Sequence, residues 1–169
     1  MKRILLISDT HGHLDPKLFK YIEKADEVWH AGDIGDLALC DALEKLKPLK
    51  AVYGNIDGAD CRLRFSEFLV FQIEQVKVVI THIGGYPTKY PLKLKNYLQN
   101  EKPNLFICGH SHILKVMFDK ELQHLHMNPG ACGVHGFHHV KTILRFEIEG
   151  KEIKNLSVIE LGSRTSLPS

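Results

Sequence analysis

The sequence predicts an α/β domain with a parallel sheet in its first half and antiparallel strand pairs in its second. Three observations point there. From residue 3 to residue 53, short Ile/Leu/Val-rich runs alternate with helically spaced apolar stripes, the strand–helix order of a parallel sheet. Beyond residue 114 the helical spacing gives way to consecutive extended runs. The length of 169 residues, with 44% apolar and 25% charged residues, suits one globular domain.

Arg3 to Ser8 is an apolar run that stops at Asp9, the profile of a strand buried on both faces. Leu18 to Lys24 has helical spacing behind Pro16, which suits a first helical turn. Asp26 to His30 is a second strand and ends at Ala31-Gly32-Asp33. From Asp36 to Lys47 the apolar stripe is Leu37, Leu39, Cys40, Leu43 and Leu46, with Asp36 as N-cap and Pro48 as stop. Leu49 to Tyr53 is a third strand and ends at Gly54-Asn55. Phe68 to Glu74 and Val76 to Thr81 read as a hairpin turning near Glu74-Gln75, Leu92 to Leu98 as a helix, and Leu105 to Cys108 as a strand ending at Gly109-His110. Val116 to Phe118, Leu122 to His126, Thr142 to Glu149 and Ile153 to Leu161 complete the strands, the last two joined at Gly150-Lys151. The domain is expected over residues 1–161, with 162–169 as a frayed tail.

Composition narrows the function classes. A net charge of +2 with no basic run argues against stable binding of nucleic acid. No stretch near 20 residues stays apolar, so no membrane span is expected. The apolar start is too short for a signal peptide and lacks small residues suited to cleavage. Cys40, Cys61, Cys108 and Cys132 are far apart and form no CxxC pair, which predicts free thiols in a reducing cytoplasm.

The chemistry lies in the strand ends. Five strands stop at polar loops: Asp9-Thr10-His11, Gly32-Asp33, Gly54-Asn55, Thr81-His82 and Gly109-His110-Ser111-His112. Ligands of α/β sheets bind beyond the carboxyl ends of the strands. Carboxylates, an amide oxygen and neutral imidazoles together suit hard or borderline divalent cations. Seven donors exceed one tetrahedral site and suit two ions sharing a carboxylate.

These five motifs, in this order and spacing, resemble the calcineurin-like metallophosphoesterase superfamily, whose pattern is D-x-H, GD, GN, a lone H, then G-H-x-H. Residues 1–161 look like the small YfcE-type phosphodiesterases. The resemblance implies a four-layer α-β-β-α sandwich, two packed mixed sheets flanked by helices. It also implies that Asp9, His11 and His112 hold a first metal, that Asn55, His82 and His110 hold a second, and that Asp33 bridges them. Manganese is the first expectation; iron, zinc and nickel suit the same donors. Such ions, about 3.5–4 Å apart, activate a bridging water for in-line attack on phosphorus and offset charge on the phosphoryl oxygens. Asp33, Asn55 and His110 then act in catalysis through that water. The expected partner is a small phosphate ester, and the subgroup's habit of association implies a dimer or tetramer.

Two departures stand out. Many superfamily members read G-N-H-D/E after the third strand, and that histidine helps to protonate the leaving group. Here the segment is Gly54-Asn55-Ile56-Asp57, and Ile56 cannot transfer a proton. Ile83 also stands between His82 and Gly84, where the family has glycine directly after histidine. The alternative function is a non-catalytic scaffold like the retromer subunit of the same fold; completeness of the seven ligands favours the enzyme.

Outside the seven, His30 is read as a buried, hydrogen-bonded histidine, Trp29 as core and His13 as a loop residue. Asp57 either orients a neighbour or makes an Asx-turn. His135, His138 and His139, beside Asn128-Pro129-Gly130, are read as surface or packing residues ahead of phosphate contacts. Arg62 and Arg64 are read as exposed loop positions. Tyr86-Pro87 and Tyr90-Pro91 suit either a substrate wall or helix-entry punctuation.

Overall fold

The computed structural model describes residues 1–165; residues 166–169, the end of the expected tail, lie outside the described residues. Two five-stranded sheets form the centre. In the first, β1 (Lys2–Ile7), β2 (Glu27–His30) and β3 (Leu49–Ala51) run parallel. The long hairpin of β9 (Val140–Glu149) and β10 (Glu152–Ser163) extends this sheet antiparallel beside β1. In the second, β5 (Val76–Thr81), β6 (Leu105–Ile107) and β8 (His124–Asn128) run parallel. Antiparallel β4 (Phe68–Ile73) and β7 (Lys115–Asp119) close its two edges.

Side-chain alternation builds the layers. On β1, Ile4 and Leu6 face the second sheet and pack with Trp29, Val78, Ile80, Ile107 and Phe146. Leu5 and Ile7 face the other way, onto α1 (Phe19–Lys24) and α2 (Leu37–Glu44), where they meet Ile22, Leu39 and Leu43. On the outer face of the second sheet, Val79 and Phe106 pack against Leu94 and Leu98 of α4 (Leu92–Glu101). The order is thus helix, sheet, sheet, helix, as expected. A strand covered on both faces must be apolar throughout, which is why the strands read as continuous Ile/Leu/Val runs.

Asp36 caps α2 by accepting from the Ala38 N–H, and a one-turn 3-10 helix at Pro16–Leu18 leads into α1. Besides shifts of up to three residues at other element ends, the structure differs from expectation in two places. A third helix, α3 (Ala59–Arg64), follows β3, and it escaped notice because only Cys61 is buried on it. The last strand does not stop at Leu161: Gly162 sits at a bulge with φ +106°, and pairing continues to Ser163 opposite Val140. Among the described residues, no helix is long and apolar enough to cross a membrane. All four cysteines are buried free thiols.

Candidate metal centre

The five polar loops follow β1, β2, β3, β5 and β6. Within each sheet these strands are parallel, so their carboxyl ends share an edge. Backbone hydrogen bonds stitch the loops together. Asp9 N donates to Gly32 O at 3.0 Å, His11 N to Asp33 O at 3.0 Å, and Gly109 N to His82 O at 2.9 Å. All seven sequence-selected residues meet at this rim. His82 reaches it despite Ile83, and Gly84 packs against Cys108.

The backbone here is unusual. Asp9, His11, Asp33, His110 and His112 all have φ between 45° and 69°, the left-handed region. Only glycine enters it freely; a side chain costs about 1–2 kcal/mol per residue, and least for Asp, Asn and His. Such strain clusters where function over-determines geometry. Two neighbouring glycines permit the close approach: a methyl at Gly54 would run into Asp33 Oδ1, and one at Gly109 into Ser8 Oγ.

Asp9, His11 and His112 form one trio of potential ligands, and Asp33, His82 and His110 a second; within each, one donor atom per residue lies within 4.8 Å of the others. Asp9 and Asp33 each have one oxygen held by hydrogen bonds from the loops and one turned toward the histidines. Asp9 Oδ2 accepts from Ser8 Oγ at 2.6 Å and His110 N at 3.2 Å, and Asp33 Oδ1 accepts from Ile56 N at 3.1 Å. The other oxygens face ring nitrogens. His112 Nε2 is 3.1 Å from Asp9 Oδ1, while His82 Nε2 and His11 Nε2 are 3.2 and 3.5 Å from Asp33 Oδ2. His110 Nδ1 lies 3.0 Å from Asn55 Oδ1, which brings the amide oxygen to the second trio.

A divalent cation fits these donors. Asp9 Oδ1, His11 Nε2 and His82 Nε2 are buried without a hydrogen-bond partner, a costly arrangement for polar atoms. Ions bound at about 2.0–2.2 Å hold neighbouring donors roughly 3.0–3.6 Å apart, the spacing of the close pairs here. The His82 Nδ1–H donates to Ala31 O at 2.8 Å, leaving the Nε2 lone pair aimed inward.

Electrostatics agree. Burial alone would raise the Asp9 carboxyl, but His112, His82 and Ser8 outweigh it and hold it below the usual range. Burial opposes ionisation of Asp33 too, and His82 with the Ile56 N–H reverses the effect. Burial pushes His11 down, keeping a lone pair available. His82 is raised: burial works against its charge, but Asp33 and Asp9 win.

Other residues fall into place around the centre. His30 is buried; it accepts from Gly32 N at 3.1 Å and bonds Thr10 Oγ1 at 2.9 Å, and burial lowers its pKa to about 4. Buried Asp57 accepts from the N–H groups of Ile34, Gly35 and Gly54, tying the Asp33 loop to the Asn55 loop. Arg64 pairs with Asp41 and Glu44 on α2. Arg62 lies over the Tyr53 ring and donates to Asp57 O at 2.8 Å. Buried Tyr90 is no substrate wall: its hydroxyl bonds His124 and His126 beneath α4.

A cleft of about 430 Å³ opens beside the centre, lined by His11, Asp33, Asn55, His110 and His112 together with Ile56, Ile113, His135, Phe137 and His138. Ile56, Ile113 and Phe137 are exposed there. The His135 ring leans on His11 with centroids 4.7 Å apart, and His138 bonds His112. The sequence reading had missed this last contact.

A probable metallophosphoesterase of Methanocaldococcus jannaschii is 28% identical over 161 residues, covering 92% of this chain and 80% of the relative. The structure of a novel archaeal phosphodiesterase superposes with a TM-score of 0.74 at 28% identity, covering 94% of this chain and 99% of that one. Vps29 from Chaetomium thermophilum shares the fold, with a TM-score of 0.75 at 17% identity over 97% of this chain and 100% of its own. The family model described as the calcineurin-like phosphoesterase superfamily domain matches residues 1–151. The chain belongs to the calcineurin-like phosphoesterase superfamily.

Proposed function

We propose that this protein hydrolyses phosphodiesters with two divalent cations, manganese first among them. Asp9, His11 and His112 hold one ion, Asn55, His82 and His110 the other, and Asp33 serves both. The observation that carries this reading is the Oδ2 of Asp33, which lies within 3.5 Å of a ring nitrogen from each trio. When bound, the two ions supply Lewis-acid stabilisation of the phosphoryl oxygens and lower the pKa of a water toward neutrality.

The chain's own residues do the rest. Hydrogen bonds to Asp9 Oδ2 and Asp33 Oδ1 fix both carboxylates before any ion arrives. Asn55 adds a neutral oxygen, which limits the negative charge facing an anionic substrate. Among the described residues, no Lys or Arg lines the cleft beside the centre, which presents Ile56, Ile113 and Phe137. That chemistry suits a singly charged diester with an apolar substituent better than a dianionic monoester. Buried free thiols favour a reducing, cytoplasmic setting.

The test is a screen of Mn²⁺-loaded protein against phosphomonoesters, diesters and cyclic nucleotides, beside Asp33→Asn. Hydrolysis of diesters is expected from the wild type, with a loss of about a thousandfold or more in the variant. Full turnover by the variant would refute the shared-carboxylate role. Two bound equivalents of metal with no turnover of any ester would favour the interaction scaffold.

A further inference from the structure

His138 stands outside both ligand trios, yet its two ring nitrogens complete a proton chain that ends at one of them. Gly133 O can only accept, so His138 Nε2, 2.9 Å away, carries a proton. A neutral His138 then has a bare Nδ1. That atom faces His112 Nδ1 at 3.2 Å, and two ring nitrogens in contact need one proton between them. It must sit on His112. In neutral His112, the form that can hold a cation, Nε2 is therefore the unprotonated nitrogen, and it lies 3.1 Å from Asp9 Oδ1.

We infer that His138 is a positioning residue that locks His112 in its Nδ1–H tautomer and aims the Nε2 lone pair at the first cation. The inference rests on the reading of His112 as a ligand. The surroundings are built for this contact. The two rings meet edge-on, with centroids 5.1 Å apart and an interplanar angle of 79°. Gly136, at φ +127°, brings the loop so close that any side chain there would run into His112 Nδ1. Arg164, just beyond β10, clamps the loop: its Nε donates to His138 O at 2.8 Å and its backbone N–H to His139 O at 3.0 Å. His82 needs no such helper, because a backbone carbonyl, Ala31 O, fixes its tautomer. His112 depends on a side chain from another loop, so the control can be removed without touching a ligand.

Long-range ¹H–¹⁵N spectra of the Zn²⁺-loaded wild type, a diamagnetic stand-in for Mn²⁺, read the tautomers directly. His112 protonated at Nδ1 and His138 at Nε2 with its Nδ1 bare are expected; a proton on His138 Nδ1 would overturn the assignment. Calorimetric titration with Mn²⁺ alone reads the consequence. His138→Ala is expected to weaken one of the two ions about 10–100-fold and leave the other unchanged, the usual effect of losing a ligand's outer partner. His138→Gln, whose amide can donate to Gly133 O and accept from His112, should restore most of the affinity. Wild-type affinity for both ions in His138→Ala would overturn the positioning role with the metal reading intact. A wild type that binds no Mn²⁺ would overturn the metal reading, and the role of His138 with it.

Discussion

Replacing Asp57 by alanine removes the joint between two ligand loops and costs stability before any metal is involved. The carboxylate is buried and accepts from Ile34 N at 3.1 Å, Gly35 N at 2.9 Å and Gly54 N at 2.8 Å. Each N–H left unpaired costs about 1–3 kcal/mol. The Gly35 contact is only partly buried, so water recovers some of that cost, and the total comes to about 3–5 kcal/mol. For a domain of this size 1 kcal/mol moves Tm by about 2–4 °C, so a fall of roughly 6–20 °C is expected. Asp57→Asn keeps an oxygen for Ile34 and Gly54 and turns its amide toward Gly35, so the cost drops to about 1–3 kcal/mol. The assay is calorimetric melting of chelator-treated wild type and both variants at neutral pH. An alanine variant melting within about 2 °C of wild type would refute the reasoning, because the two buried donors, Ile34 N and Gly54 N, cannot lose their acceptor at no cost.

Three further outcomes are expected. Metal loading should raise Tm by about 5–10 °C for each ion bound at a hundredfold excess over Kd, since the unpartnered atoms of Asp9, His11 and His82 gain partners; chelation should reverse it, and a flat Tm across a Mn²⁺ titration would count against the centre. Because Ile56 cannot donate a proton, p-nitrophenyl diesters should be cleaved far faster than alkyl diesters of similar size; equal kcat/KM for both would reveal an unassigned general acid. Burial lowers the pKa of His126 to about 4 in the folded state, against an ordinary 6.5. The unfolded chain therefore takes up a proton as pH falls through 6.5, while the folded one waits until about 4. Stability is lost across that window, on the order of 3 kcal/mol from this residue. Urea midpoints from pH 7 to 4.5 should slope less in His126→Phe than in wild type, and identical slopes would contradict the assignment.

Much of this architecture was legible because buried parallel strands write themselves as unbroken apolar runs. β1 stops two residues before Asp9 and β2 two before Gly32, so strand ends and candidate ligands were visible together. The α3 helix was harder to see, since six residues with one buried side chain leave no stripe. Its signals were the Gly58 cap, Asp60 in the first turn, and Arg62 and Arg64 in the last. Gly162 looked like a terminator because glycine at a bulge and glycine at a strand end look alike in one dimension. At the site, residue types showed which side chains carry metal-binding chemistry, but not which are held in place. Asp57 reaches back more than twenty positions to Ile34 and Gly35, and His138 finds His112 across a turn set by Gly136. Contacts of that kind depend on how loops fold over one another, and no local pattern encodes them.

Five of the seven donors occupy left-handed backbone, and this restricts what could ever replace them. A substitution there has to satisfy a steric rule as well as a coordination rule. Asn for Asp passes the first but loses the charge and one acceptor oxygen. Glu for Asp lengthens the arm and tolerates the conformation less well, and a β-branched residue is a genuine outlier at such an angle. The usable alphabet at Asp9, His11, Asp33, His110 and His112 is thus confined to a few short polar residues and histidine. Transplanting this centre onto another scaffold would mean copying the path of the main chain, because the side chains alone would point elsewhere.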